Sequence, residues 1–209
     1  MLHNILHCIN LEEIVNILHN ASKSFKTHTS INIRLCKTSI VVVTIIFKLS
    51  ENKVPNLFAY YCCAESSDYL SNRYMSYTSL RNRVIGIQLY RNKISGFLQW
   101  GYNFYNTTLS DEAIDPYMIT DGGGAFQSGD AFIVYPGKNG ALDSIRHEVF
   151  YDGLQDMRLL YTLEEKIGRE KVEELLDSYG YKAGFREYPH DEKTFLKLRA
   201  QIHKILSEK

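Results

Sequence analysis

From residue 57 onward the chain alternates short apolar runs with stretches of helical spacing, and this alternation constrains the fold more than any other feature. Leu57 to Cys63 is apolar and aromatic, too short for a stable helix, and predicts a buried strand. Tyr77, Leu80, Val84 and Ile87 recur at helical spacing and predict a helix over 77–91. Ile94 to Trp100 predicts a second buried strand, left through Gly101. Ala131 to Tyr135 predicts a third, closed by Pro136-Gly137. Ser144 to Ile167 carries the strongest helical period, with Ile145, Val149, Met157, Leu160, Leu163 and Ile167 on one face. Gly153 occupies the missing step of that face; a glycine there permits close backbone approach, at a cost of about 1 kcal/mol against alanine. Two further helices are expected at 169–179 and 191–208. Upstream, residues 10–22 read as a short amphipathic helix, 31–49 as one or two strands, and 50–56 as a turn and domain boundary. Strands alternating with helices argue for an α/β fold of parallel β/α units.

In such units ligands meet the loops that follow strand C-termini. Two segments qualify, Tyr60 to Glu65 and Trp100 to Tyr105, and both are crowded with aromatic residues. The stretch 101–130 has no clear period, and structureless loops of that length usually carry function or are disordered. The chain has 15 Tyr, 10 Phe and 1 Trp. Aromatic residues gathered in loops suit a polar ligand with apolar faces, such as a sugar, and they equally suit an ordinary core.

Several classes are disfavoured. Lys plus Arg and Asp plus Glu each number 24, so no basic field exists to collect phosphates, and nucleic acid is not an expected partner. The longest apolar run, Ile40 to Phe47, is β-branched and far short of the roughly 20 residues a membrane helix needs. No C-x-x-C occurs among the four cysteines, and the adjacent Cys62 and Cys63 read as structural thiols rather than metal ligands. Gly122 to Gly124 lacks the Lys-Ser/Thr of a phosphate loop and reads as a turn. His147-Glu148 lacks the second histidine of a zinc motif, because Tyr151 stands there. Arg146 is expected to pair with Asp152 or Glu148 and so anchor its helix to the loop. Met1 to Cys8 has neither the basic start nor the cleavage site of a secretory signal, which makes the cytoplasm the default compartment. No cofactor or metal is expected.

Four landmarks occur in order: Tyr60-Tyr-Cys-Cys63, Gly96-Phe-Leu-Gln-Trp-Gly-Tyr-Asn103, Gly129-Asp-Ala-Phe-Ile-Val-Tyr-Pro-Gly137, and Ser144-Ile-Arg-His-Glu148 running into Asp152-Gly-Leu-Gln-Asp156. Together they resemble the C-terminal part of glycoside hydrolase family 123 and its relatives of the domain of unknown function 4091 type. The resemblance covers residues 57 to about 176. It implies a partial (β/α)8 barrel, residues 55–176, followed by a helical tail, 177–209; residues 1–54 show no clear family pattern.

The resemblance also implies a chemistry. Glycosidases of this family act on β-linked N-acetylgalactosaminides through an adjacent Asp-Glu pair. The Glu protonates the leaving oxygen, and the Asp orients the substrate's 2-acetamido group, whose carbonyl attacks the anomeric carbon. In the family the pair precedes the Tyr-Tyr-Cys-Cys segment. Here the acids upstream of Tyr60 are Glu12, Glu13 and Glu51. Ser110-Asp111-Glu112 looks similar, but Ala113 replaces the usual proline and the motif follows Trp100, so no catalytic role is carried onto it. The expectation is a carbohydrate-active fragment that lacks its acid pair and has an N-acetylhexosamine-containing glycan as partner; the alternatives are a non-catalytic glycan-binding module and a non-functional remnant that self-associates through open sheet edges.

Candidate substrate contacts are Tyr60, Tyr61, Trp100, Tyr102, Asn103, Tyr105 and Asp130. An aromatic face packs on the C–H face of a sugar, and Asn can bond a hydroxyl. Tyr60 and Tyr61 alternate across a strand, so at most one faces a pocket. Glu65 and Asp68 follow the same strand end.

Overall fold

The computed structural model describes residues 57–61 and 70–208. The expected elements over 10–22, 31–49 and 50–56, together with Cys62, Cys63, Glu65 and Asp68, lie outside the described residues.

Strand β1, Phe58–Tyr61, pairs in parallel with β2, Gly96–Gln99, with Phe58 opposite Gly96 and Tyr61 opposite Gln99. The period of two is plain in β1. Ala59 and Tyr61 are buried, whereas Phe58 is exposed and its ring covers Gly96, where a Cβ would meet it at 2.3 Å. The crossover between these strands is helical, as expected, but it is two short helices rather than one: α1, Ser79–Arg83, and α2, Ile85–Arg91. Thr78 caps α1, its side chain accepting from the Arg81 N–H. The interruption at Val84 falls between the two points where the crossover presses on Gly153. A Cβ at Gly86 would lie 1.8 Å from the Gly153 carbonyl oxygen, and one at Gly153 would lie 2.6 Å from that of Arg83.

The third predicted strand differs from expectation. Residues 134–137 form β3, Val134–Gly137, which folds back antiparallel on β4, Gly140–Asp143. Pro136-Gly137 thus lies inside the strand rather than closing it, and the turn is at Lys138-Asn139. A proline is tolerated here because a two-stranded hairpin has free edges where no N–H is needed. Ala131 to Ile133 are buried, but their sheet-like contact is a single bridge between Phe132 and Asn103. The described residues therefore show one parallel β-helix-β unit and one hairpin, a mixed α/β arrangement of short sheets and helices.

Three helices follow: α3, Ile145–Ile167, α4, Arg169–Ser178, and α5, Glu192–Ser207. Ser144 caps α3, and Asp191 caps α5 by accepting from the Thr194 N–H. Leu160 and Leu163 of α3 join Ile87 and Tyr90, Val172 and Leu176 of α4, and Phe195, Leu198 and Ile202 of α5 in one apolar core. A second core under β1 and β2 holds Leu57, Ala59, Tyr61, Leu70, Ile85, Leu89 and Ile94. Ile145, expected on the buried stripe, is instead 73% exposed. No helix among the described residues is long and apolar enough to cross a membrane.

Candidate functional site

β1 and β2 end side by side, and the Trp100 N–H donates to the Tyr61 carbonyl at 2.9 Å, continuing the ladder one residue further. The chain then turns through Gly101 at φ +81°. A side chain there would strike the Asp130 carbonyl at 2.3 Å, so only glycine fits. Residues 102–104 are next laced to 131–133: the Ile133 N–H donates to the Tyr102 carbonyl at 2.9 Å and the Phe104 N–H to that of Ala131 at 3.0 Å. The strand-end segment is thus fixed along its length by main-chain bonds.

Two arginines hold it from below. Arg73, buried in the segment before α1, donates through Nη2 to the carbonyls of Trp100, at 3.1 Å, and of Gly101. Arg146, in the first turn of α3, donates to the carbonyls of Arg73 at 2.9 Å, Gly129 at 2.7 Å and Phe132 at 2.9 Å. Burial, with Arg146 alongside, pulls the Arg73 guanidinium down to about 10. Burial also lowers Arg146. Asp130 has no exposed surface, and neither of its carboxylate oxygens accepts a hydrogen bond. Burial outweighs the attraction of both arginines and pushes its carboxyl up to about 7.

Above this layer stand the aromatic residues. Trp100 is half-buried, with its ring centroid 4.6 Å from that of Phe126 and 5.3 Å from that of Phe104. Tyr102 is 50% exposed and meets His147 edge-on at 5.7 Å. The His147 Nδ1 is 2.7 Å from Asp143 Oδ1, so the carboxylate sets the ring's orientation. Asn103 is exposed. Beside the strand ends Asn72 is buried. Its Oδ1 accepts from Gln99 Nε2 at 2.6 Å and from the Arg73 N–H at 2.7 Å, while its Nδ2 meets no acceptor.

The seven expected contacts therefore separate. Trp100, Tyr102 and Asn103 form one partly open wall. Tyr60 is half-buried on β1 across from Leu98. Tyr61 is 1% exposed, packed edge-on against Phe97 and Phe185 in the core. Tyr105 is anchored, its hydroxyl donating to the Val134 carbonyl at 2.8 Å. Asp130 is fully buried and takes no part in that open wall. The expected pairing of Arg146 with Asp152 or Glu148 does not form, because its guanidinium is turned onto loop carbonyls; Asp152 pairs with Arg83 at 3.0 Å instead. Asp111 and Glu112 are exposed, on a loop pinched by the bridge from Asn106 to Ala113. The other adjacent Asp-Glu, Asp191-Glu192, caps α5. Among the described residues no three His, Cys, Asp or Glu side chains are grouped to hold a metal ion. Arg73 and Asn72 escaped the sequence reading; the one hint is a run of polar residues, Ser71-Asn-Arg73, in an otherwise aromatic region.

The model of the glycoside hydrolase 123 catalytic domain matches residues 6–163, about three quarters of the chain. The chain belongs to glycoside hydrolase family 123. The match takes in all four landmarks and begins well upstream of them; α4 and α5 lie beyond it. No curated protein matches the chain. A glycoside hydrolase domain makes carbohydrate the substrate class.

Proposed function

We propose that the strand-end wall of this family 123 chain binds an N-acetylhexosamine-containing glycan, within a partial (β/α)8 barrel related to β-N-acetylgalactosaminidases. The observation that carries this reading is the presentation of Trp100, Tyr102 and Asn103 at the C-terminal end of a parallel strand, fixed by main-chain bonds and by Arg73. A wall held before the ligand arrives loses little conformational entropy on binding. Trp100 and Tyr102 offer faces to the apolar side of a pyranose ring, and Asn103 offers a donor and an acceptor to its hydroxyl or acetamido groups. Tyr60 borders the wall on the neighbouring strand. Since Trp100 is the single tryptophan, its fluorescence reports directly on this site. Titration with N-acetylgalactosamine is expected to change Trp100 emission, and Tyr102→Ala to abolish the change. No response at millimolar sugar would sink the reading.

Hydrolysis is a separate matter. Within the matched span the one adjacent Asp-Glu is Asp111-Glu112, which is exposed and follows the wall in sequence. A general acid must hold its proton near neutral pH, which calls for burial or a like charge nearby. We infer that the chain by itself binds glycan and cleaves it little or not at all. The expected result with a chromogenic β-N-acetylgalactosaminide is no turnover above background. Turnover that disappears in Glu112→Gln would overturn this inference and give that loop the acid's role.

A further inference from the structure

His147 belongs to no zinc motif, and the residues around it give it a different fit. Its Nδ1 lies 2.7 Å from Asp143 Oδ1. A carboxylate accepts, so Nδ1 carries the ring hydrogen and the Nε2 of the neutral ring presents a lone pair. Among the described residues no hydrogen bond reaches that Nε2, and the imidazole side chain is 33% exposed. The ring is held beside the wall. Tyr102 and His147 stand nearly perpendicular, at 80°, with centroids 5.7 Å apart. Both are tied to Ile133, which is fully buried. The Ile133 N–H donates to the Tyr102 carbonyl at 2.9 Å, the Ser144 hydroxyl donates to the Ile133 carbonyl at 2.5 Å, and the His147 N–H donates to the Ser144 carbonyl at 2.9 Å. The spacing of the two rings is thus set by main chain and helix cap rather than by a chance meeting of surface side chains.

We propose that His147 is a specificity-determining residue of the wall: its Nε2 accepts a hydrogen bond from an O–H or N–H group of the sugar bound on Tyr102, and Asp143 is the positioning residue that keeps Nε2 an acceptor. The inference rests on the glycan reading and deepens it. Trp100 and Tyr102 supply ring faces, which suit any pyranose with an apolar side. Asn103 carries both a donor and an acceptor and turns to suit either. A neutral imidazole whose hydrogen is held on Nδ1 only accepts at Nε2, so it favours a donor at one position of the sugar and leaves an acceptor there unpaired. Fixing the ring before the ligand arrives lowers the ordering cost of that bond. Without the carboxylate nothing holds the hydrogen on Nδ1. Either tautomer is then open, and a ring carrying the hydrogen on Nε2 offers the sugar a donor instead.

The test uses the full chain labelled with nitrogen-15. Long-range proton–nitrogen spectra at about pH 8, where ordinary histidines are neutral, show which ring nitrogen carries the hydrogen. The chain has 7 histidines, and the spectrum of His147→Gln identifies the resonances of His147. The expected result in the native chain is the Nδ1–H tautomer, with the Nε2 resonance moving upfield when N-acetylgalactosamine is added. Asp143→Ala is expected to give mixed tautomers. In parallel, Trp100 emission gives the affinity, which His147→Ala is expected to weaken about 3- to 10-fold, the range for one hydrogen bond. An Nε2–H tautomer in the native chain, an Nε2 resonance that the sugar leaves in place, or an unchanged affinity in His147→Ala would each overturn the assignment. A native tautomer that persists in Asp143→Ala would remove Asp143 from its role. The two readings fail apart. A Trp100 response with an unmoved Nε2 keeps the glycan wall and takes His147 out of it. A moving Nε2 with a silent Trp100 keeps His147 as a sugar contact and takes out the indole. Silence in both overturns the two together.

Discussion

The burial of Asp130 has a consequence for stability. Its carboxyl is raised in the folded chain to about 7 from 3.8. Between those values the folded state binds the proton that the unfolded state has already released, so stability falls as pH rises through that window. The contribution is fully present below about pH 4 and gone above about pH 7. Asp130→Asn has no such slope. Its stability relative to the native chain is therefore expected to improve by up to about 4 kcal/mol between pH 3 and 8, whatever the offset at the start. Urea unfolding of both proteins at each end of the range checks this, and parallel curves would contradict it. At this scale the sequence was partly legible. Trp100, Tyr102 and Asn103 could be found because an aromatic run ended a predicted strand at a glycine. Tyr61 followed the rule of alternation and went inward. Arg73 and Arg146 could not be found, because nothing in a sequence tells an arginine that will bond carbonyls from one that will face water or a carboxylate. Arg146 has acids two and six residues on, in Glu148 and Asp152, offsets at which helical side chains do not face each other, and its guanidinium bonds carbonyls instead.

Helices were the legible elements. The stripe ending in Leu160, Leu163 and Ile167 marked α3 to within a residue of its ends, and Ser144 stood where a cap belongs. The role of Gly153 also followed from its place on that stripe. It meets Gly86, and the two backbones touch with no room between them for a methyl group. Gly86→Ala is expected to cost about 3 kcal/mol, since a rigid carbonyl rather than a side chain must give way. Gly124→Ala is the comparison: its φ is +88° and nothing lies within 4 Å, so backbone strain of roughly 1–2 kcal/mol is the whole penalty. Equal losses in thermal unfolding would show that the α2–α3 contact yields more easily than its geometry implies. Strand direction was the illegible part. Ala131 to Tyr135 is apolar and short, and such a run is the same whether its neighbour runs parallel or antiparallel. The decisive signal lay just after it, in Lys138-Asn139-Gly140, where Gly140 adopts φ +134° and allows the hairpin to close.

Across the whole molecule, the helical tail is tied to the crossover by charge as well as by apolar packing. Asp156 of α3, buried, is 2.6 Å from Arg83 Nε and 2.9 Å from Arg199 Nε of α5. Removing the carboxylate leaves two guanidiniums without it, and Asp156→Ala is expected to cost about 3–5 kcal/mol in chemical denaturation; a loss under 1 kcal/mol would reduce the pairs to decoration. A parallel pair of strands is stable only when flanked and covered, and β1 with β2 is a pair among the described residues. On the partial-barrel reading, the described residues supply fewer strands than the eight of a closed barrel. Unpaired edges are then left to bond with another copy. Sedimentation velocity is expected to show association that grows with protein concentration. The Trp100 signal for N-acetylgalactosamine should strengthen with it if the second copy completes the cleft. A monomer at every concentration, with an unchanged sugar response, would mean that the chain closes its own edges and that the barrel reading must give way to a smaller, self-sufficient sheet.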